Sequence, residues 1–378
     1  MGAQQVITLV KQGIRQAYQD IQGLDKAMTN IAVVTDFNVS DLWGKINEYM
    51  TIAQQYGVTT QGVYEVSQLY FQQGLGEAET MELTTETLKM ARIAGMDYAD
   101  AADGMTVAIR GFKMEMEDAA RVTDVYSKVA AVTASDSQEI IEAMSKTASS
   151  AASVGSGFEE TTAMLAVMIE ATREAPTNIG SAMKSIISRY GEMTKGMTVD
   201  TDGEEIAFNK VDTALQSVGV SIKDATGQFR EFDDVIYELA GKWETLDSLS
   251  QRYVATVFAG NRQQSRFLAL MSNYDRLVEV TEDAQNSEDA GLLQYSKTLD
   301  SLETKLNNIK TSFQQFYMDI FNGPVIGAGL EFINNLIKGF NKLGKITSIF
   351  NIINIVKGIK QLANIGVNSF SGIGSSLT

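Results

Sequence analysis

The sequence predicts a mainly α protein: an array of short helices with a small β-hairpin insertion, a long heptad-bearing helix and an apolar C-terminal helical segment. Three observations predict it. Apolar residues recur at spacings of three and four through most of the 378 residues, which is the period of one helix face. Glycine or a Ser/Thr/Asp cluster interrupts that rhythm every 15 to 20 residues, so the helices are short. Only two prolines occur, Pro176 and Pro324, and both fall where the pattern changes. At 44% hydrophobic the chain can bury a sizeable core, and its length allows two or three domains.

Five stretches follow in order: an N-terminal lead-in helix over 1–37, a helical core domain over 38–195, a hairpin-plus-helices subdomain over 196–286, a coiled-coil-like helix over 287–322 and a basic apolar segment over 323–378. In the core, Ser40 can cap a helix through Trp43, Ile46 and Ile52 that closes at Gly57, and Thr59 or Thr60 opens the next, which ends near Gly74. Further helices are expected over 77–94, 98–110, 116–134, 136–154, 158–174 and 177–194, with Ser135 and Gln138 as a capping box. From Gly196 to Lys210 the chain is polar and turn-rich. Asp200, Asp202, Glu204 and Glu205 cluster oxygens around Gly203, but the twelve-residue spacing of a calcium loop is missing and a solvated turn is the better reading.

Gly219-Val220-Ser221-Ile222, a break over Asp224 to Gln228, and Phe229-Arg230-Glu231-Phe232 read as a short hairpin. Two helical patterns follow: Val235, Ile236, Leu239, Trp243 and Leu246, then Val254, Val257 and Phe258 before Gly260 ends the segment. Trp243 and Phe258 fall on these apolar stripes and are expected in the core.

Between Leu292 and Ile320 the spacing is strict. Leu292, Tyr295, Leu299, Leu302, Leu306, Ile309, Phe313, Phe316 and Ile320 alternate gaps of three and four, while Asp300, Glu303, Lys305 and Lys310 stay off that seam. Self-association as a parallel coiled coil is the preferred reading; packing of the stripe on the chain's own core is the alternative. After Pro324 the chain is apolar and lightly basic. Ile346, Ile349, Phe350, Ile352, Ile353, Ile355 and Val356 lie in an uncharged run of 11 residues, too short to span a bilayer as one helix. Lys342, Lys345, Lys357 and Lys360 flank it, a pattern that suits either an interfacial membrane helix or packing against protein.

Composition excludes much chemistry. There is no cysteine and no histidine, so disulfides, thiolate metal sites and the commonest general base are absent. No Walker loop or nucleophile elbow occurs. Glu159-Glu160 and Asp233-Asp234 are adjacent pairs, but neighbours on a helix point to different sides, and favourable charge at a helix start is the better account. No catalytic residue, cofactor site or metal site is expected. The start of the chain lacks the Ser or Thr of a myristoylation signal and the charged lead of a secretory one. The net charge of −16 is uneven: residues 323–378 hold five lysines against Glu331, and the rest holds 26 basic against 46 acidic residues. An acidic body opposes non-specific nucleic-acid binding, which needs clustered Lys and Arg.

An ordered series of short motifs carries a family resemblance. Phe71-Gln72-Gln73-Gly74-Leu75, Ala101-Ala102-Asp103-Gly104-Met105, Arg110-Gly111-Phe112 and Ser145-Lys146-Thr147-Ala148-Ser149 come first. Val218-Gly219-Val220, Asp224 to Gly227, the Trp243 helix, Ser250-Gln251-Arg252, Ala259-Gly260-Asn261-Arg262 and a Leu-rich helix ending in Ser272-Asn273 follow. In this order, over about Asn30 to Asn322, the chain resembles the core region of the tail tape-measure proteins of long-tailed bacteriophages.

The resemblance implies a non-enzymatic virion protein in the lumen of the tail tube that templates tail length and assembly and leaves to aid DNA ejection across the host envelope. It implies a homo-oligomer of small cyclic number, made in the host cytoplasm, with tail-tube and tail-tip proteins as partners and the host membrane as a further one if the last segment is membrane-active. No specific nucleic-acid binding is expected. An unbroken helix of this length would reach roughly 570 Å, yet glycine-terminated helices fold back, so the chain reads as a folded portion of a longer ruler. The rival reading is a secreted toxin or effector with a helical body and a membrane-active C-terminus.

Overall fold

The computed structural model describes residues 22–194 and 208–301, and beyond these 303–305, 307, 308, 311, 312, 314 and 315. The described residues are mainly α, as the periodicity predicts. They divide into two compact units, one drawing on residues up to Thr80 and from Leu299 onward, the other on Met81–Thr298.

The first unit holds helical residues 22–34, α1 (Val39–Gly44), α2 (Ile46–Tyr56) and α3 (Thr60–Gln72). The one helix expected between Ser40 and Gly57 is two, broken at Lys45. Asn38, rather than Ser40, precedes the first helical turn, where the Asp41 carboxylate accepts from the Asn38 N–H at 3.2 Å. Gly57 closes α2 in the left-handed region (φ 62°), and Thr59 caps α3 by accepting from the Gly62 N–H at 3.1 Å. Tyr49 and Tyr64 stack with ring centroids 4.0 Å apart, and the Tyr64 hydroxyl donates to the Leu42 carbonyl, so α1, α2 and α3 are tied through one aromatic pair. Thr60 Oγ1 donates to Gln314 Oε1 at 2.8 Å, and Asn307 Nδ2 donates to the Gly57 carbonyl at 2.9 Å.

The second unit contains most of α4 (Glu77–Ala94), then α5 (Tyr98–Phe112), α6 (Ala119–Val132), α7 (Ser137–Ala152), α8 (Phe158–Thr172) and α9 (Pro176–Thr194). Continuing, α10 (Phe208–Ser217), α11 (Phe232–Lys242), α12 (Ser248–Met271), α13 (Tyr274–Gln285) and α14 (Ala290–Leu299) complete it. Helix α8 is its centre. Every residue from Thr161 to Ile169 is buried, so this stretch has no solvent face, and the helix is covered by α7, α13, α12, α6 and α9.

Helix α7 lies between α5 and α9, and glycines set the distances. A Cβ at Gly104 would meet Ile141 Cγ2 at 2.5 Å, and one at Gly111 would meet Ala148 Cβ at 2.7 Å. At Gly180 it would meet the Ala143 carbonyl oxygen at 2.2 Å, where Thr147 Oγ1 also donates to the Gly180 carbonyl at 3.0 Å. The capping box of α7 is one residue later than Ser135 and Gln138. Asp136 Oδ1 accepts from the Glu139 N–H at 2.8 Å and Glu139 Oε2 from the Asp136 N–H at 3.1 Å, because Asp136 holds the extended backbone of a cap. Pro176 opens α9 at its first position, where no N–H is needed.

Two sequence expectations fail. The β-hairpin is a single antiparallel bridge between Lys223 and Phe229, and no strand occurs among the described residues. Asp224 Oδ1 collects the N–H groups of Thr226 and Gln228 and the Thr226 hydroxyl, which tightens the turn, and α11 starts at Phe232 before a second rung can form. The heptad helix is not continuous either. It stops at Leu299, and after Asp300 the Ser301 hydroxyl accepts from the Thr304 N–H to begin a new turn. The C-terminal apolar helix expected over 323–378 lies outside the described residues.

Candidate functional site

The segment that carries most of the resemblance, residues 216–273, docks onto the helices before it through an aromatic cluster and a polar clasp. Phe232, Trp243, Phe258 and Phe267 are each fully buried, with Tyr190 of α9 beside them. Trp243 meets Phe267 edge-on at 6.1 Å, Phe267 stacks on Phe258 at 5.3 Å, and Tyr190 packs edge-on to Phe232 at 5.5 Å. Trp243 and Phe258 are thus where their stripes placed them, although Trp243 sits in a 3₁₀ turn just past α11. The Tyr190 hydroxyl donates to the Arg230 carbonyl at 2.6 Å, and burial raises its pKa above the ordinary phenol range.

Gly260 breaks α12 with φ 77° and ψ 167°, a conformation essentially confined to glycine. The kink frees carbonyls of the preceding turn. Arg189, a buried side chain of α9, donates through Nε to the Val257 carbonyl at 3.3 Å, and Gln264 reaches back to the Arg252 carbonyl and the Thr256 hydroxyl. The Ala-Gly-Asn-Arg motif therefore marks a re-aimed helix. Further along, Arg266 pairs with Glu174, and Arg276 pairs with Glu170 and Glu279 while donating to the Val132 carbonyl. These pairs orient α12 and α13 on α8 and the end of α6.

The clasp lies at the loop between α7 and α8. The Phe232 N–H donates to the Val154 carbonyl at 3.1 Å, Ser156 Oγ lies 2.5 Å from Asp233 Oδ1, and the Gly157 N–H donates to Asp233 Oδ2 at 2.8 Å. Gly155, with φ 76°, lets Glu231 lie against the loop: a Cβ there would meet Glu231 Cγ at 2.7 Å. Beside the clasp is a cleft of about 400 Å³ lined by Glu160, Glu231, Asp233, Asp234, Tyr237, Thr281 and Gln285 among others, with no lysine or arginine on its walls. Burial, outweighing the two hydrogen bonds, raises the Asp233 carboxyl to about 7, and Glu160 and Glu231 push the same way.

The remaining expected site residues are scattered. Leu292 and Leu299 of the seam are exposed and Tyr295 is buried, whereas Leu302, Leu306, Ile309, Phe313, Phe316 and Ile320 lie outside the described residues. So do the acidic loop at Asp200–Glu205 and the whole basic apolar segment with Ile346–Val356 and Lys342, Lys345, Lys357 and Lys360. Among the described residues no helix is long and apolar enough to cross a membrane, and no group of three His, Asp or Glu side chains is placed to hold a metal ion. Glu159-Glu160 and Asp233-Asp234 do open helices, as expected, with Glu159 paired to Arg121. What sequence reading missed is that Glu160 and Asp233 share one cleft, and that Ser156, Tyr190 and Arg189 receive the docked segment.

This is the geometry of a helical packing module, whose motif residues are positions of close approach. The chain belongs to the phage-related minor tail protein family, whose model matches residues 47–259. It is similar to the tape measure protein of Pneumococcus phage Dp-1, with 25% identity over 237 residues, covering 62% of this chain and 19% of that relative. The chain thus spans about a fifth of that relative's length. No solved structure matches it. As a member of a phage tail protein family it is a virion component.

Proposed function

We propose that the chain is a folded, non-enzymatic portion of a tail tape-measure protein, held in the lumen of the tail tube, which helps template tail length and assembly and leaves when DNA is ejected across the host envelope. The observation that carries the reading is the family match across 47–259, and the helix lengths support the folded portion over the ruler itself. The longest described helix has 24 residues and is kinked at Gly260, a reach of about 36 Å at most. A rod-like ruler needs far longer unbroken helices. The acidic charge outside residues 323–378 suits a protein that shares a tube with DNA without binding it.

A lumenal protein is shielded until ejection. Protease added to intact virions is expected to leave this chain whole and to digest it once ejection has been triggered; digestion in intact virions would place it outside the tube.

The partners in this reading are further copies of the chain, tail-tube and tail-tip proteins, and the host membrane for the basic apolar segment. Exposure of Leu292 and Leu299 supports self-association along the seam. Light scattering at tens of micromolar is expected to show a small oligomer that becomes a monomer when Leu302 and Ile309 are both changed to Lys, with helical circular dichroism retained. A monomeric wild type would leave the stripe to intramolecular packing.

A further inference from the structure

The α7–α8 loop, α8 and the 230–234 segment bring carboxylates together without a cation between them. A methyl group at Gly157 would lie 2.1 Å from Glu160 Oε2 and 3.9 Å from Asp233 Oδ2, so the two side chains come within about 6 Å of each other. Glu231 and Asp234 stand at the rim of the same cleft. From α11 the cleft receives Tyr237, whose hydroxyl is bonded to Thr281; from α13 it receives Gln285, which donates to Glu160 Oε1 at 2.7 Å, and Tyr274 lies close by. Of the basic side chains around it, Arg121 of α6 pairs with Glu159 and also acts on Glu160, and Arg230 is occupied by Glu238 and the carbonyls of Ser221 and Asp234.

A protonated Asp233 is fully satisfied here. Its hydroxyl can donate to Ser156 Oγ, Ser156 can donate to Thr161 Oγ1 at 2.9 Å, and the other carboxyl oxygen still accepts from the Gly157 N–H. An ionised Asp233 keeps its acceptor roles but faces Glu160 across a half-buried cleft, where like charges are poorly screened.

We propose that Asp233, Ser156, Gly157 and Glu160 form a proton-operated latch, which holds the 228–236 segment on the α7–α8 loop when Asp233 carries a proton and loosens it when Asp233 ionises beside Glu160. The direction follows from linkage. The folded carboxyl titrates near 7 and the unfolded one near its ordinary value of 3.8, so the docked state holds the extra proton across that interval. Docking is strongest at the acid end and weakens as pH rises toward and through 7.

Hydrogen–deuterium exchange of the full chain at pH 6 and pH 8, corrected for intrinsic amide chemistry, tests this. Peptides covering 153–158 and 228–236 are expected to lose about ten-fold in protection at pH 8, the equivalent of one unit of proton linkage, while a peptide over 163–169 in α8 keeps its protection. Asp233→Asn is expected to abolish the difference between the two pH values, and Glu160→Gln to reduce it. Equal protection of the wild type at both pH values, an equal loss in the α8 peptide, or the full wild-type loss in Asp233→Asn would overturn the latch. Should Asp233→Asn fail to fold, an undiminished loss in Glu160→Gln overturns it as well.

Discussion

Changing Trp243 to Ala is expected to lower unfolding stability by about 4 kcal/mol, in the range for deleting a buried indole. The ring is fully buried and packs edge-on to Phe267, which stacks on Phe258, so its loss opens a void at the head of an aromatic column that neighbours cannot refill without leaving their rotamers. Hydrogen bonding adds nothing to this, because the indole N–H has no hydrogen-bond partner among the described residues. Trp243→Phe therefore keeps most of the packing, removes an unpaired buried donor, and is expected to cost much less. Denaturant titration followed by circular dichroism separates the two. A loss below about 0.5 kcal/mol for Trp243→Ala, far under the usual cost of such a truncation, would show that the aromatic column does not hold the docked segment.

Gly180→Ala sets two effects against each other. Alanine raises helix propensity by about 1 kcal/mol over glycine, yet its Cβ would sit 2.2 Å from the Ala143 carbonyl oxygen, and backbone cannot swing aside as a side-chain tip can. Separating α7 from α9 would also stretch the bond from Thr147 to the Gly180 carbonyl. The clash wins, with an expected net loss of about 3 kcal/mol. Gly44→Ala is the matched control: it ends α1, meets nothing within 4 Å and has no left-handed φ, so it is expected to be neutral or slightly stabilising. Equal effects of the two substitutions in thermal melts would remove the close helix crossing from the account of this fold.

Helix positions were legible because their signals are local. The expected span over 77–94 coincides with α4, and those over 98–110, 136–154 and 158–174 fall within two residues of the helices found at each end. Gly57 and Thr59 punctuate as their chemistry requires, in a left-handed cap and a hydroxyl cap. The errors are local too. Ser135 and Asp136 both carry side chains that can cap, and only backbone geometry chooses Asp136. The hairpin was overread because alternation over four residues resembles a strand, while pairing needs a partner long enough to form a ladder. Strict heptad spacing likewise did not reveal the break at Asp300–Ser301, since a seam is indifferent to a cap that falls between its residues.

Sequence by itself determined the helical class, the absence of cysteine and histidine chemistry, the buried stripes of Trp243 and Phe258, and, through ordered motifs, the phage tail family. Each of these depends on residue type and on spacing along one element. Tertiary structure alone decided that α8 is the enclosed centre, that Gly104, Gly111 and Gly180 are contact points, and that Glu160 and Asp233 meet in one cleft although each adjacent acidic pair reads as no more than a helix start. Those facts depend on which faces of separate helices approach. A periodic pattern specifies that a face is buried, but the partner it is buried against is chosen by shape and close packing across residues far apart in the chain.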